Sequence, residues 1–144
     1  MRWLLLDKVL SIHRGKRAVT ESRVPCAPYS SEVLFVEMMA QTGGLLVGAE
    51  SDYRNDVIFA KIESASFAGV PVPGAPITVE AFADGLAPEG GWIEGVITMA
   101  GVVIAKAKLL LMSVGRLVPG HSQPITFHDN FMEHFKVREK VSVS

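Results

Sequence analysis

Apolar residues crowd one stretch of the chain, Glu32 to Glu50 (EVLFVEMMAQTGGLLVGAE), at every angle of a helical wheel. Between Val33 and Ala49 its one ionisable residue is Glu37. A helix apolar on all sides is a buried one, and a membrane span needs about 20 such residues. This shorter, charged run predicts a central helix wrapped by other structure, with Ser30 or Ser31 as its N-cap. Gly43, Gly44 and Gly48 are poor helix formers and predict another backbone passing close to that face.

On either side the period is that of strands. Trp3 to Ile12 predicts a first strand, His13 to Lys16 a turn, and Arg17 to Ser22 a β-compatible segment. An extended Pro-containing loop, Arg23 to Ser30, leads into the helix. After the helix come the short apolar run VIFAKI (57–62) and Ala65 to Ala68. The rigid segment GVPVPGAP (69–76) follows, then a strand in which Ile77, Val79, Ala81 and Ala83 share one face. Pro88 to Gly91 is a turn, and strands at Trp92–Ala100 and Val102–Met112 flank Gly101. One buried helix among several successive strands predicts an α+β domain whose antiparallel sheet curls around that helix. Such a sheet leaves an edge strand open, and edge-to-edge dimerisation covers it. The tail is irregular from Val114 to Pro124. Asp129 then caps a short helix, Asn130 to Lys140, with Phe131, His134, Phe135 and Arg138 on a stripe that packs on the domain or, as the alternative, docks a partner.

Composition narrows the function classes. The 144 residues suit one domain with a proper core, and 49% hydrophobic with 20% charged residues is a soluble, globular balance. A net charge of −1 without a basic run argues against a nucleic-acid surface. The single cysteine, Cys26, excludes an internal disulfide and a cysteine-based metal cluster, and fits a reducing cytoplasm. MRWLLLDKVL is interrupted by Asp7 and Lys8 and is read as mature sequence, with no membrane segment. Against this background Glu37 is the candidate acid or base, because desolvation disfavours an ionised carboxylate on an enclosed helix. The plainer reading is a Glu near the helix start that reaches solvent or a cap partner.

Three stretches resemble the hotdog-fold 3-hydroxyacyl-[acyl-carrier-protein] dehydratases of fatty acid biosynthesis. They are LLLDKVL near the start, VLFVEMMAQTGGLL on the helix, and FAKIESASFAGVPVPGAPITVE with the closing GVVIAKAKLLL. The resemblance implies a hotdog domain over residues 1–113 and a C-terminal extension over 114–144. It also implies a dimer whose sheets join into one, with the acyl chain in a tunnel at the interface. In that family a loop His of one subunit takes the C2 proton, and the helix carboxylate of the other protonates the departing C3 hydroxyl. Glu37 stands at the acid position, whereas Arg23 stands at the His position. Glu32 and Val33 stand at the helix entry, where backbone N–H groups polarise the thioester carbonyl and where the family has a glycine in place of Glu32. An Arg stays protonated and cannot serve as general base. His13 in a turn and His121, His128 and His134 in the tail are assigned satisfied or solvent-exposed roles.

Three functions follow from that pattern. The first is a dehydratase-like subunit that retains Glu37 and completes a composite site with a paralogue, as a heterodimer, or with itself as a homodimer. The second is a hotdog acyl thioesterase in which Glu37 and Gln41, one helical turn apart, activate and orient a water. The third is a non-catalytic module for acyl chains or acyl carrier protein, with Arg23 on the surface. In any of them Arg23 is a candidate contact for the phosphopantetheine phosphate. The expected ligand is an acyl-carrier-protein or coenzyme A thioester; no cofactor or metal is implied.

Overall fold

The computed structural model describes residues 4–26, 31–120, 124, 126–127 and 129–143. Strands β1 (Lys8–His13) and β2 (Arg17–Arg23) precede helix α1 (Ser31–Glu50). Strands β3 (Val57–Phe67), β4 (Pro76–Ala83), β5 (Gly90–Met99) and β6 (Val102–Ser113) follow it. The chain closes with α2 (Asp129–His134), α3 (Val137–Lys140) and β7 (Val141–Ser142). The strands form a single sheet in the order β3-β6-β5-β4-β2-β1-β7. All pairings are antiparallel except that of β1 with β7. The sheet curls around α1, which is the hotdog arrangement expected from the sequence.

Period-2 alternation points one face of each strand at the helix: Ile77, Val79 and Ala81 on β4, Ile93 and Ile97 on β5, and Leu109 and Leu111 on β6 are buried. They close over Phe35, Met38, Met39, Leu45 and Leu46 of α1. By length and composition α1 could cross a membrane, yet 67% of its apolar window is buried inside the domain, so it is the core helix. The buried polar residues Thr20, Ser22, Thr42 and Asp56 are each hydrogen-bonded through their side chains. Thr42 Oγ1 bonds Thr20 Oγ1 of β2 at 2.9 Å and donates to Met38 O at 2.9 Å, tying the helix to the sheet.

Several local expectations are corrected. The glycines of α1 do not admit a neighbouring backbone. A Cβ on Gly43 would meet Leu111 and Ile93 side chains at 2.8 and 3.0 Å, and one on Gly48 would meet the Phe127 ring at 2.6 Å. His13 ends β1, and the turn is Arg14–Lys16, with Gly15 at φ 75°. The runs at 57–62 and 65–68 are one strand, β3, with register shifts between Phe59 and Lys61 and between Ile62 and Ser64. The turn before β5 is tighter than Pro88–Gly91. Gly90 faces Ala87 and lies at φ 115°, where a Cβ would also strike Leu111 O at 2.2 Å. The C-terminal helix is not continuous: Lys136 lies in the left-handed region (φ 50°) and separates α2 from α3. Ser31 is the first residue of α1, whereas Ser30, His121 and His128 lie outside the described residues.

The C-terminal segment completes the core. Phe127, Met132, Phe135 and Val137 are buried in it. Phe127 stacks edge-on against Tyr53 at 5.0 Å. Arg138 reaches Asp52 at 3.0 Å. Tyr53 Oη donates to Leu45 O at 3.0 Å, and burial pushes its phenol above the ordinary tyrosine value. The folded state therefore holds this proton to higher pH than the unfolded chain does. Its contribution to stability is full below about pH 10 and is lost as pH rises through the folded value. We expect Tyr53→Phe to cost about 1 kcal/mol near neutrality and to flatten the alkaline loss. Urea melts from about pH 8 to about pH 11 measure both, and an unchanged alkaline slope would assign the loss to other groups.

Candidate functional site

The first two turns of α1 lie across from β3, the edge strand of the sheet, and a groove of about 440 Å³ separates them. Glu32, Val33, Val36 and Glu37 line it from the helix, and Phe59, Ile62, Ala65 and Phe67 line it from the strand. Helical spacing brings residues 33, 36 and 37 to one face. The strand residues are spaced three, three and two apart, which a regular strand would distribute over both faces. The two register shifts of β3 fall within the two odd gaps, each adding a residue, so that all four turn to the groove.

Glu37 is half-buried at this wall. Gln41 Nε2 donates to Glu37 Oε1 at 3.2 Å, and Gln41 Oε1 accepts from the Leu5 N–H at 3.1 Å. Apart from the two glutamates the lining is apolar, and its apolar groups are unusually open to solvent: Val33 is 63% exposed and Ile62 48%. A carboxylate held by a neutral donor beside an apolar trough can give or take a proton next to a hydrocarbon chain.

Of the residues singled out by sequence, Glu32, Val33 and Glu37 share the groove and Gln41 bonds Glu37. Arg23 does not join them. It is exposed at the end of β2, and its Nη1 donates to Gly74 O at 3.0 Å. Beside it the Val24 N–H bonds Ala75 O at 2.9 Å and the Gly74 N–H bonds Val24 O at 2.8 Å, which zips this loop to the Pro/Gly segment. Arg23 instead borders a separate hollow with Asp7, Lys8 and Glu21. Neither His13, at the end of β1, nor His134, exposed on α2, lines the groove. Sequence reading missed Val36 and the four β3 residues. Their run of apolar side chains was visible, but the bulges that align them were not.

No protein-family model matches the chain. Among curated proteins, the 3-hydroxyacyl-[acyl-carrier-protein] dehydratase FabZ of Roseiflexus castenholzii is 30% identical over 120 residues, covering 75% of this chain and 84% of the relative. That of Hydrogenobaculum sp. is 32% identical over 128 residues, covering 78% and 84%. Among solved structures, the dehydratase heterocomplex ApeI:P of Xenorhabdus doucetiae matches with a TM-score of 0.64 at 18% identity, covering 77% of this chain and 83% of that one. A thioesterase of Haemophilus influenzae matches with a TM-score of 0.61 at 17% identity, covering 78% and 81%. The structures share the fold, and the sequence relatives share more. The chain belongs to the FabZ family of 3-hydroxyacyl-[acyl-carrier-protein] dehydratases.

Proposed function

We propose that this protein binds acyl thioesters in the groove between α1 and β3, and that Glu37 is the acid of a dehydratase-type site completed by a second subunit. The observation that carries the reading is a carboxylate set in an apolar groove, one wall of which is the open edge strand β3. That edge has unpaired backbone groups and exposed Ile58, Phe59, Ile62 and Phe67, the features that a second chain pairing along β3 would cover. In the reaction the C2–H bond of a 3-hydroxyacyl thioester breaks toward a base and its electron pair forms the C2–C3 double bond. The C3–O bond breaks as Glu37 protonates the hydroxyl, which leaves as water. Arg23, in the family's base position, cannot accept the C2 proton. The base therefore comes from the partner, and a dehydratase paralogue that carries the loop His supplies it.

The Gln41–Glu37 bond favours a second reading. A carboxylate oriented this way can also act on a thioester carbonyl as base or nucleophile, as in hotdog thioesterases. Mass spectrometry of the purified protein with a 3-hydroxyacyl and a saturated acyl thioester, each on carrier protein and on coenzyme A, separates the two. For the lone protein we expect thioester binding without water loss, and water loss on adding a His-bearing paralogue. Release of free acid would replace the dehydratase reading with the thioesterase. Silence with every paralogue would leave a binding module.

A further inference from the structure

The geometry points to the backbone N–H of Leu5 as a positioning group that acts through Gln41 to fix which oxygen of Glu37 reacts. This rests on the Glu37 reading above. A side-chain amide can present either end to a neighbour, but a backbone N–H can only donate. With Leu5 N–H 3.1 Å from the Gln41 side chain, the atom facing it must be Oε1, and the NH₂ end is turned to Glu37. Glu37 Oε1 is thereby occupied at 3.2 Å by a donor. Glu37 Oε2 has no hydrogen-bond partner among the described residues, so the exchangeable proton belongs on that oxygen. Without the Leu5 N–H this constraint on the amide is lost, and an amide oxygen facing Glu37 would repel the carboxylate and favour a proton on the wrong side.

The segment that supplies the N–H is itself held. Ser22 Oγ donates to Leu5 O, the Asp7 N–H bonds Glu21 O at 2.9 Å, and Leu6 is buried. Both anchors are on β2, which the Thr20–Thr42 bond joins to α1 one turn beyond Glu37. The N-terminal segment and the carboxylate thus share one frame although Leu5 and Gln41 are 36 positions apart. From α1, Glu32 is the one other titratable residue among those described lining the groove; β3 contributes only Phe59, Ile62, Ala65 and Phe67. A shift in Glu37 titration on changing Leu5 or Gln41 therefore reports this relay.

The test is titration of Glu37 by NMR in protein labelled with ¹³C at glutamate side chains, alongside the pH–rate profile of the assembly that turns over. Gln41→Glu should move Glu37 titration up by about one pH unit or more, since two carboxylates would then share a proton. Leu5→Pro, which deletes the N–H, should move it in the same direction by less. It should also lower kcat about tenfold with KM within about twofold. Leu4→Pro, one residue earlier, should do neither. If the Leu5 variant titrates as the parent does, the relay is overturned, whatever the added charge at position 41 does. Should Leu5→Pro fail to fold, hydrogen exchange decides: Gln41→Leu should expose the Leu5 amide at least tenfold, and undiminished protection would sink the proposal. The NMR and exchange results do not depend on turnover, so an inactive protein would defeat the functional reading without deciding this one.

Discussion

Glu37→Gln is expected to lower thioester turnover by about 10²- to 10⁴-fold while leaving the melting temperature unchanged or higher. The size follows from the role: general acid–base groups contribute on this scale, and an amide has no proton to give at neutral pH. The thermal expectation follows from the setting. Gln replaces Glu at equal volume, its Oε1 accepts the same bond from Gln41 Nε2, and the groove no longer has to hold a partly desolvated charge. Steady-state kinetics of the assembly with the His-bearing paralogue and a thermal melt of this protein check the two halves. Turnover within a few-fold of the parent would remove Glu37 from the chemistry. A fall in melting temperature with turnover lost in proportion would make it a structural residue.

How much of this was legible in the sequence depends on what each feature required. The buried helix and the inward faces of β4, β5 and β6 follow from periodicity, because one residue pattern fits one wall of the core. Glu37 was legible for the same reason, as a charge interrupting an apolar run. The opposite wall was not. Phe59, Ile62, Ala65 and Phe67 share a face only through two bulges, and a bulge reflects the partner strand β6 rather than β3's own sequence. The Leu5–Gln41 bond joins residues with no local relation, and no periodicity records it. Lys136, where the C-terminal helix breaks, is neither Gly nor Pro; its left-handed backbone lies between the buried Phe135 and Val137. The resemblance sets Arg23 beside the family's His as an expectation, and only the fold shows its guanidinium committed to Gly74 O.

Asp56 was the largest omission, since Asn55-Asp56 after a helix reads as an ordinary polar turn. It is fully buried. Its carboxylate accepts from Leu117 N–H at 2.8 Å through Oδ2, and from Thr126 N–H at 2.6 Å and Thr126 Oγ1 at 2.8 Å through Oδ1. Its own backbone pairs with Gly115 and Val114. One side chain thus fastens the start of β3, the loop after β6 and the residue preceding Phe127. Asp56→Ala strands these donors inside the protein, and we expect a loss of about 3 kcal/mol, or roughly 10 °C in melting temperature. Asp56→Asn keeps one acceptor oxygen and should lose about half as much. Denaturant melts measure the loss, and limited proteolysis shows where it falls. The cleavage should begin in the segment after Ser113, because releasing Thr126 also frees Phe127 from Gly48 and Tyr53. Early cleavage there with an unchanged global melt would mean that the clamp holds only the extension. A lower melt with cleavage throughout the chain would mean that the extension folds as one unit with the sheet and helix, and that Asp56 joins them.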